Sequence, residues 1–482
     1  MKRKVYNEVI YDEQTPLLNV PELVDNKTSN TVCFKSKAKD MEPINLPTER
    51  VPDWQNKAVE LFGEMLDKYK GLRLFMDSCV RCGSCSDKCH YFLGTGDPKN
   101  MPVSRQELMR SVYRKYFTMQ GKIFKNSKDC VAFDDNILKD WFTYFYQCSE
   151  CRRCCVFCPQ GIDTAEVTMA AREIMARLGV GTKYVTEVVH KVYTTGNNLG
   201  IWAPAWIDNC KFLEEELIEE TGLKIPLPVD VNGAEVLLVP PSADNFVNTN
   251  TMLGYAKMFY AAGVSWTTST FCNEGGNFGM FLNYHNYKTI NNRILKAARD
   301  LNVKYILWGE CGHAWRAGYM TRTLSGSMDF LTVKYPKHVC QFTNEMIKKG
   351  AFKLDKTAND HLKVTYHDPC NVARATTGML EPPRDIIRAT CNNFKEMHPD
   401  TTREKTFCCG GGGGMLADEL MSMRMAGSKP RCMAVKATGA NYLATPCAIC
   451  KANFGESLKF WDTGAVVGGV HDLLSNALIL NH

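Results

Sequence analysis

Apolar positions acquire a helical rhythm at Asp53. Ala58, Leu61, Phe62, Met65, Leu66 and Tyr69 recur at the spacing of one helix face. Two further amphipathic stretches, Ser104 to Phe117 and Asn136 to Tyr146, predict helices, and a third spans Asp163 to Gly179. Trp202 to Pro228, with its acidic run EEELIEE, reads as a connector. Beyond it the rhythm changes. Short apolar runs (Val236 to Val239, Tyr305 to Trp308, Lys363 to Tyr366, Tyr442 to Ala444) alternate with helical stretches, which predicts α/β units. Before Asp53 there is no periodicity, and Pro16, Pro21, Pro43 and Pro47 predict an extended arm.

The fold class expected is therefore mixed α and α/β. The division is an arm over 1–52, a helical domain over 53–200, a connector over 201–230, and two tandem α/β units over 231–355 and 356–482. An internal repeat supports the last two. Phe271-Cys272 leads through a helical stretch and a strand to Cys311, and Phe407-Cys408 leads the same way to Cys447.

Composition narrows the chemistry. The chain has 482 residues and 22 cysteines, too long and too dilute in Cys for a disulfide scaffold. The start lacks the apolar core of a secretory signal, and no apolar run is long enough to span a bilayer, so the expectation is a cytoplasmic protein. There, grouped thiols read as metal or redox sites. The net charge of +6 comes without an aromatic-interleaved basic stripe, so no nucleic-acid partner is expected.

Two cysteine runs share one spacing. CVRCGSCSDKCH holds Cys79, Cys82, Cys85 and Cys89; CSECRRCCVFCP holds Cys148, Cys151, Cys154 and Cys158. The C-x2-C-x2-C-x3-C pattern resembles bacterial two-cluster ferredoxins, in which the fourth cysteine of each run ligates the other cluster. That resemblance implies one cubane 4Fe–4S cluster on Cys79, Cys82, Cys85 and Cys158. The second falls on Cys148, Cys151, Cys154 and Cys89. Zinc is the rival, but its sites use four ligands in separated pairs. His90 stands where the pattern has proline, and Cys155 is spare.

A third constellation comprises HDPC (Cys370), FCCGGGGG (Cys408, Cys409) and TPCAIC (Cys447, Cys450). If each motif follows its strand, five thiols gather at strand ends, where α/β sheets build sites. The glycines permit close backbone approach and offer N–H donors to sulfur. The blander reading is a thioredoxin-like CxxC with scattered thiols.

This arrangement resembles the cysteine-rich CCG domain of heterodisulfide reductases and of the iron–sulfur subunits of glycolate oxidase and anaerobic glycerol-3-phosphate dehydrogenase. From about residue 75 onward the order resembles the D-type heterodisulfide reductases. The stretch YFLGTGDPKNMPVSRQELMRSVYRKYFT and the segment WGECGHAWR are most similar to the DsrK-like members, found in the DsrMKJOP membrane complex of sulfate reducers and sulfur oxidisers. The resemblance implies that Cys370, Cys408, Cys409, Cys447 and Cys450 hold a noncubane 4Fe–4S assembly that cleaves a disulfide or trisulfide on a small DsrC-like protein. Electrons would come from menaquinol through a haem b, DsrM-like membrane subunit. The first CCG half departs from the pattern. It keeps Cys272 and Cys311, with Asn273 and Ala314 where further cysteines would stand, so one noncubane cluster is expected, not two. Cys311 and His313, with Cys272, are candidates for the substrate side. His367 is a candidate support for the cluster. Arg316 and Arg374 are read as solvated rather than substrate-binding. The rival function is an electron-relay subunit of a flavin dehydrogenase complex. Cys33, Cys130, Cys210, Cys340, Cys391 and Cys432 are read as core packing.

Overall fold

The computed structural model describes residues 44–480 apart from 48, 124–126, 128, 275, 325–333, 376 and 418–419. Most of the expected arm (1–43), with Cys33, lies outside the described residues. The chain forms two compact units that do not follow a linear division. One contains the residues up to His190 together with Met280–Tyr284 and Phe407–Arg431; the other contains Lys191–Gly279, His285–Thr406 and Cys432–His482. Among the described residues, no helix is long and apolar enough to cross a membrane.

The first unit is helical: α1 (Trp54–Lys68), α2 (Lys70–Ser78), α3 (His90–Thr95), α4 (Pro102–Phe117), α5 (Asp135–Tyr146), the single turn α6 (Arg153–Val156) and α7 (Thr164–Arg177). The expected helices are all present, with ends set by local chemistry. Pro102 opens α4, where its missing N–H costs nothing. Asp134 caps α5 by accepting from Ile137 N–H at 2.9 Å, and Asp163 caps α7 by accepting from Ala165 N–H at 2.9 Å. The core is aromatic: Phe62 of α1 meets Trp141 of α5 edge-on with centroids 6.2 Å apart, and Trp141 meets Phe133 at 4.7 Å. Truncating Phe62 to alanine there costs about 3–5 kcal/mol.

The second unit is α/β. Strands β1 (Val236–Val239), β2 (Trp266–Thr267), β3 (Tyr305–Trp308) and β4 (Lys334–His338) form a parallel sheet in the order β2-β1-β3-β4. Strands β5 (Val364–Tyr366), β6 (Tyr442–Ala444) and β7 (Val466–Gly468) form a second parallel sheet in that order. All of β1 is buried, which is why VLLV reads as a continuous rather than alternating apolar run. The segment read as a connector is a 19-residue helix, α8 (Ala203–Thr221), which buries Trp206, Cys210, Leu213 and Leu217. The helices that position functional residues are α9 (Thr249–Ala262), α10 (Gly312–Leu324), α11 (Val339–Lys348), α12 (Cys370–Ala375), α13 (Ala448–Phe460) and α14 (Val470–Ala477).

Candidate functional site

In the first unit the two cysteine runs adopt matching backbone conformations. The residue before each second cysteine, Arg81 or Glu150, is left-handed (φ 54° and 55°). So is the residue after it, Gly83 or Arg152 (φ 78° and 60°). These reversals wrap each run around its thiols. For Glu150 and Arg152 the conformation is strained and must be held by the surroundings. Arg172 does so for Glu150, at 3.0 Å with both side chains fully buried. Asp163 and Glu166 do so for Arg152, at 2.8 and 2.7 Å.

Two cavities collect the thiols of these runs. Cys79, Cys82, Cys85 and Cys158 line one cavity of about 430 Å³ including its open mouth. Cys89, Cys148, Cys151 and Cys154 line another of about 350 Å³. Cys154 also touches the first. Burial, with the Cys158 thiol beside it adding to the effect, pushes the Cys85 thiol up to about 12. A four-thiol lining is the donor set of a cubane iron–sulfur cluster, so both cavities fit such a group. The two sites differ in surroundings. Cys82 is exposed, with Ser84 Oγ 3.4 Å from its sulfur. Cys89 is buried, and Arg105, itself buried, reaches its sulfur at 3.6 Å. Arg172 spans the same region, donating to the carbonyls of Phe145, Cys148 and Gly413 at 2.8 Å each. Sequence reading missed these arginines. Cys155 is half-buried, with its sulfur 3.5 Å from the Gly161 carbonyl.

The CCG segment Cys408–Gly414 belongs to this unit. Cys408 and Cys409 accept from the N–H groups of Gly410 and Gly411, at 3.4 Å each. A Cβ on Gly413 would stand 2.5 Å from the Cys148 carbonyl, so glycine lets the two backbones touch. Cys408 hydrogen-bonds Cys151, a thiol of the second cavity. Among the described residues no strand leads directly into Cys408, contrary to the strand-end expectation: Pro399–Thr401 and Arg403–Lys405 are 3-10 turns.

The second unit places three thiols at carboxyl ends of parallel strands: Cys311 after β3, Cys370 after β5 and Cys447 after β6. Cys311 hydrogen-bonds Cys447, which also hydrogen-bonds Cys450; the Cys447 thiol is held well below its ordinary range, with Cys311 the largest cause. His313 adds to that depression from 3 % exposure. Buried His367 lies 3.5 Å from Cys450 through Nε2 and packs edge-on against Phe454. Cys272 is buried, its sulfur 3.7 Å from the Glu274 carbonyl. Arg316 donates to the Arg374 carbonyl at 3.2 Å, and Arg374 to those of Glu404 and Thr406, so both brace backbone rather than solvate. Cys130, Cys210, Cys340, Cys391 and Cys432 are buried.

A buried ionic network unseen in the sequence lies beside these thiols. Lys451 Nζ reaches Asp244 at 2.8 Å, Thr251 at 2.8 Å and Glu310 at 3.4 Å. Glu310 takes His471 Nδ1 at 2.8 Å, and His471 Nε2 meets Thr343 at 2.8 Å. Burial pushes Asp244 up to about 6 despite Lys451. Glu310, Cys340 and His471 come within 4.8 Å of one another. Lys451 supplies the cation there for both carboxylates, so the network reads as a brace that ties α9, the residues just after β3, α13 and α14 together.

Comparison with known proteins follows the same two parts. Residues 75–162 match the 4Fe-4S dicluster domain and residues 364–455 the cysteine-rich domain. The chain is 41 % identical to the Hdr-like menaquinol oxidoreductase iron-sulfur subunit of Archaeoglobus profundus, over 94 % of this chain and 89 % of that protein. It belongs to that family of Hdr-like iron–sulfur subunits. The Hdr-like menaquinol oxidoreductase iron-sulfur subunit 2 of Archaeoglobus fulgidus is 39 % identical over 96 % of this chain and 89 % of its own length. The D-type component of the dihydromethanophenazine-dependent heterodisulfide reductase of Methanosarcina acetivorans is 24 % identical over 84 % of this chain and 95 % of its own. As a member of an oxidoreductase family related to heterodisulfide reductase, this Hdr-like subunit carries iron–sulfur clusters.

Proposed function

We propose that the chain is the cytoplasmic catalytic iron–sulfur subunit of a membrane-bound, menaquinol-linked complex. It passes electrons through two cubane 4Fe–4S clusters to a noncubane 4Fe–4S cluster that reduces a protein disulfide or trisulfide in dissimilatory sulfur metabolism. Cys79, Cys82, Cys85 and Cys158 hold the first cubane; Cys89, Cys148, Cys151 and Cys154 hold the second. Cys370, Cys408, Cys409, Cys447 and Cys450 hold the noncubane cluster. The cubanes supply one-electron carriers, and the noncubane cluster supplies iron for a sulfur ligand. The partners are a haem b, DsrM-like membrane subunit and a small DsrC-like thiol protein.

The observation that supports this reading is the adjacency of the Cys151 and Cys408 sulfurs. It joins a thiol of the ferredoxin-type set to one of the CCG set without an intervening residue. The protein's own groups favour one direction through the wire. Exposed Cys82 suits the first cubane to entry from a partner. Buried Arg105, donating to Cys89, favours the reduced, more negative state of the second. Within the second unit, His367 orients Cys450, and the brace around Lys451 holds the helix that follows Cys447.

Iron analysis of the purified holoprotein tests the reading. About twelve iron atoms per chain are expected, four for each 4Fe–4S group, with co-purification of a haem b subunit from membranes. About eight irons, and isolation without a membrane partner, favour the electron-relay alternative.

A further inference from the structure

His90, which replaces proline after Cys89, has no role among the cluster ligands. It is 1 % exposed at the start of α3. Its Nδ1 lies 2.9 Å from the Gly427 carbonyl, which only accepts, so Nδ1 carries the proton. Its Nε2 lies 2.9 Å from Ser149 Oγ. The ring also lies beside the sulfurs of Cys151 and Cys408. The backbone is shaped for this approach. A Cβ on Gly427 would meet the Tyr91 ring at 2.3 Å and His90 Nδ1 at 3.1 Å, and one on Gly94 would meet the Ala426 carbonyl at 1.9 Å. Tyr91 adds a second tie, donating to the Gly410 carbonyl at 2.8 Å. Proline at position 90 could make none of the ring contacts, having no side-chain donor or acceptor.

We propose that His90 is a positioning residue that clamps Cys408 against Cys151 and so sets how fast an electron leaves the second cubane for the CCG segment. The imidazole grips the helix that follows the glycine run through Gly427. It grips the second cysteine run through Ser149. Between them it fixes the separation of the two thiols. With both sites loaded, the step it would govern is a one-electron transfer: the second cubane would be oxidised and the group held by Cys408 reduced, with no bond or proton exchanged. This rests on the functional reading above for both the second cubane and the acceptor.

The test compares wild-type, His90→Ala and His90→Gln holoproteins by iron content, electron paramagnetic resonance of each cubane, and freeze-quench timing of cubane reoxidation when dithionite-reduced protein, freed of excess reductant, is mixed with a disulfide-bearing peptide as oxidant. In His90→Ala the second cubane's resonance changes and its reoxidation slows by about 10- to 100-fold, as for other residues supporting metal ligands. The first cubane is untouched. His90→Gln recovers most of the rate, because its amide can donate to Gly427 and accept from Ser149. Gly427→Ala, which pushes the helix off the ring, slows transfer without removing it. Wild-type resonance and rate in His90→Ala overturn the proposal, as does a glutamine variant no better than alanine. If the wild type holds only about eight irons, the functional reading fails. The second-cubane resonance of His90→Ala then still decides for or against the clamp.

Discussion

Cys151 and Cys408 share a hydrogen bond inside one compact unit, although one stands in the ferredoxin-type run and the other in the CCG segment. The two motifs are therefore neighbours in space as well as successive in chain order. Cys408→Ser should remove about four irons per chain and leave both cubane resonances in place. Iron analysis with cubane resonance before and after dithionite checks this.

Arg105 is the group best placed to tune the second cubane. Its guanidinium is fixed by the Tyr144 carbonyl at 2.8 Å and Asn100, and it reaches the Cys89 sulfur at 3.6 Å. Arg105→Leu removes a donor and a buried positive charge, so the reduced state loses support. The midpoint of the second cubane should fall by on the order of 50–100 mV, about 1–2 kcal/mol for one electron. The first should hardly move. A redox titration followed by paramagnetic resonance separates the two.

Arg172 is a structural counterpart. It pairs with Glu150, both fully buried, and ties three backbone carbonyls. Arg172→Ala strands the Glu150 carboxylate in the interior, at a cost of about 3–5 kcal/mol. The expected result is a lower unfolding midpoint and faster cluster loss on warming, followed by the visible iron–sulfur absorbance.

These arginines mark the limit of what the sequence discloses. The cysteine spacings and the strands at Val236, Tyr305, Val364 and Tyr442 are readable because both are local patterns. Arg172 in TMAAREIMARL looks like any helical charge; its burial depends on Glu150, in another segment. Lys451 follows a cysteine motif, yet its partners Asp244 and Glu310 come from distant elements. The strand-end rule places Cys311, Cys370 and Cys447 but not Cys408, whose approach is made by 3-10 turns braced by Arg374.

His338 makes the second unit sensitive to acid. Burial pushes it down to about 3, with His471 adding to the fall and Glu310 and Cys447 opposing it. Neutral Nδ1 accepts from Cys340 N–H at 3.1 Å, capping α11. Its folded value lies below the unfolded value of about 6.5, so the unfolded state binds the extra proton between those limits. The stabilisation is complete above about pH 6.5 and is lost as pH falls, by up to about 1.4 kcal/mol per unit. His338→Asn keeps the cap without titrating. Unfolding midpoints measured from pH 8 to 5 should fall more steeply in wild type than in this variant.

The decisive property of the proposed function is delivery of electrons to a sulfur–sulfur bond at the CCG cysteines. Its sharpest test is paramagnetic resonance of the oxidised holoprotein, with and without a disulfide- or trisulfide-bearing peptide. The oxidised protein should give a signal that shifts when the peptide is added and is absent from Cys408→Ser. A signal indifferent to the peptide, or one that persists in Cys408→Ser, would be incompatible with that delivery.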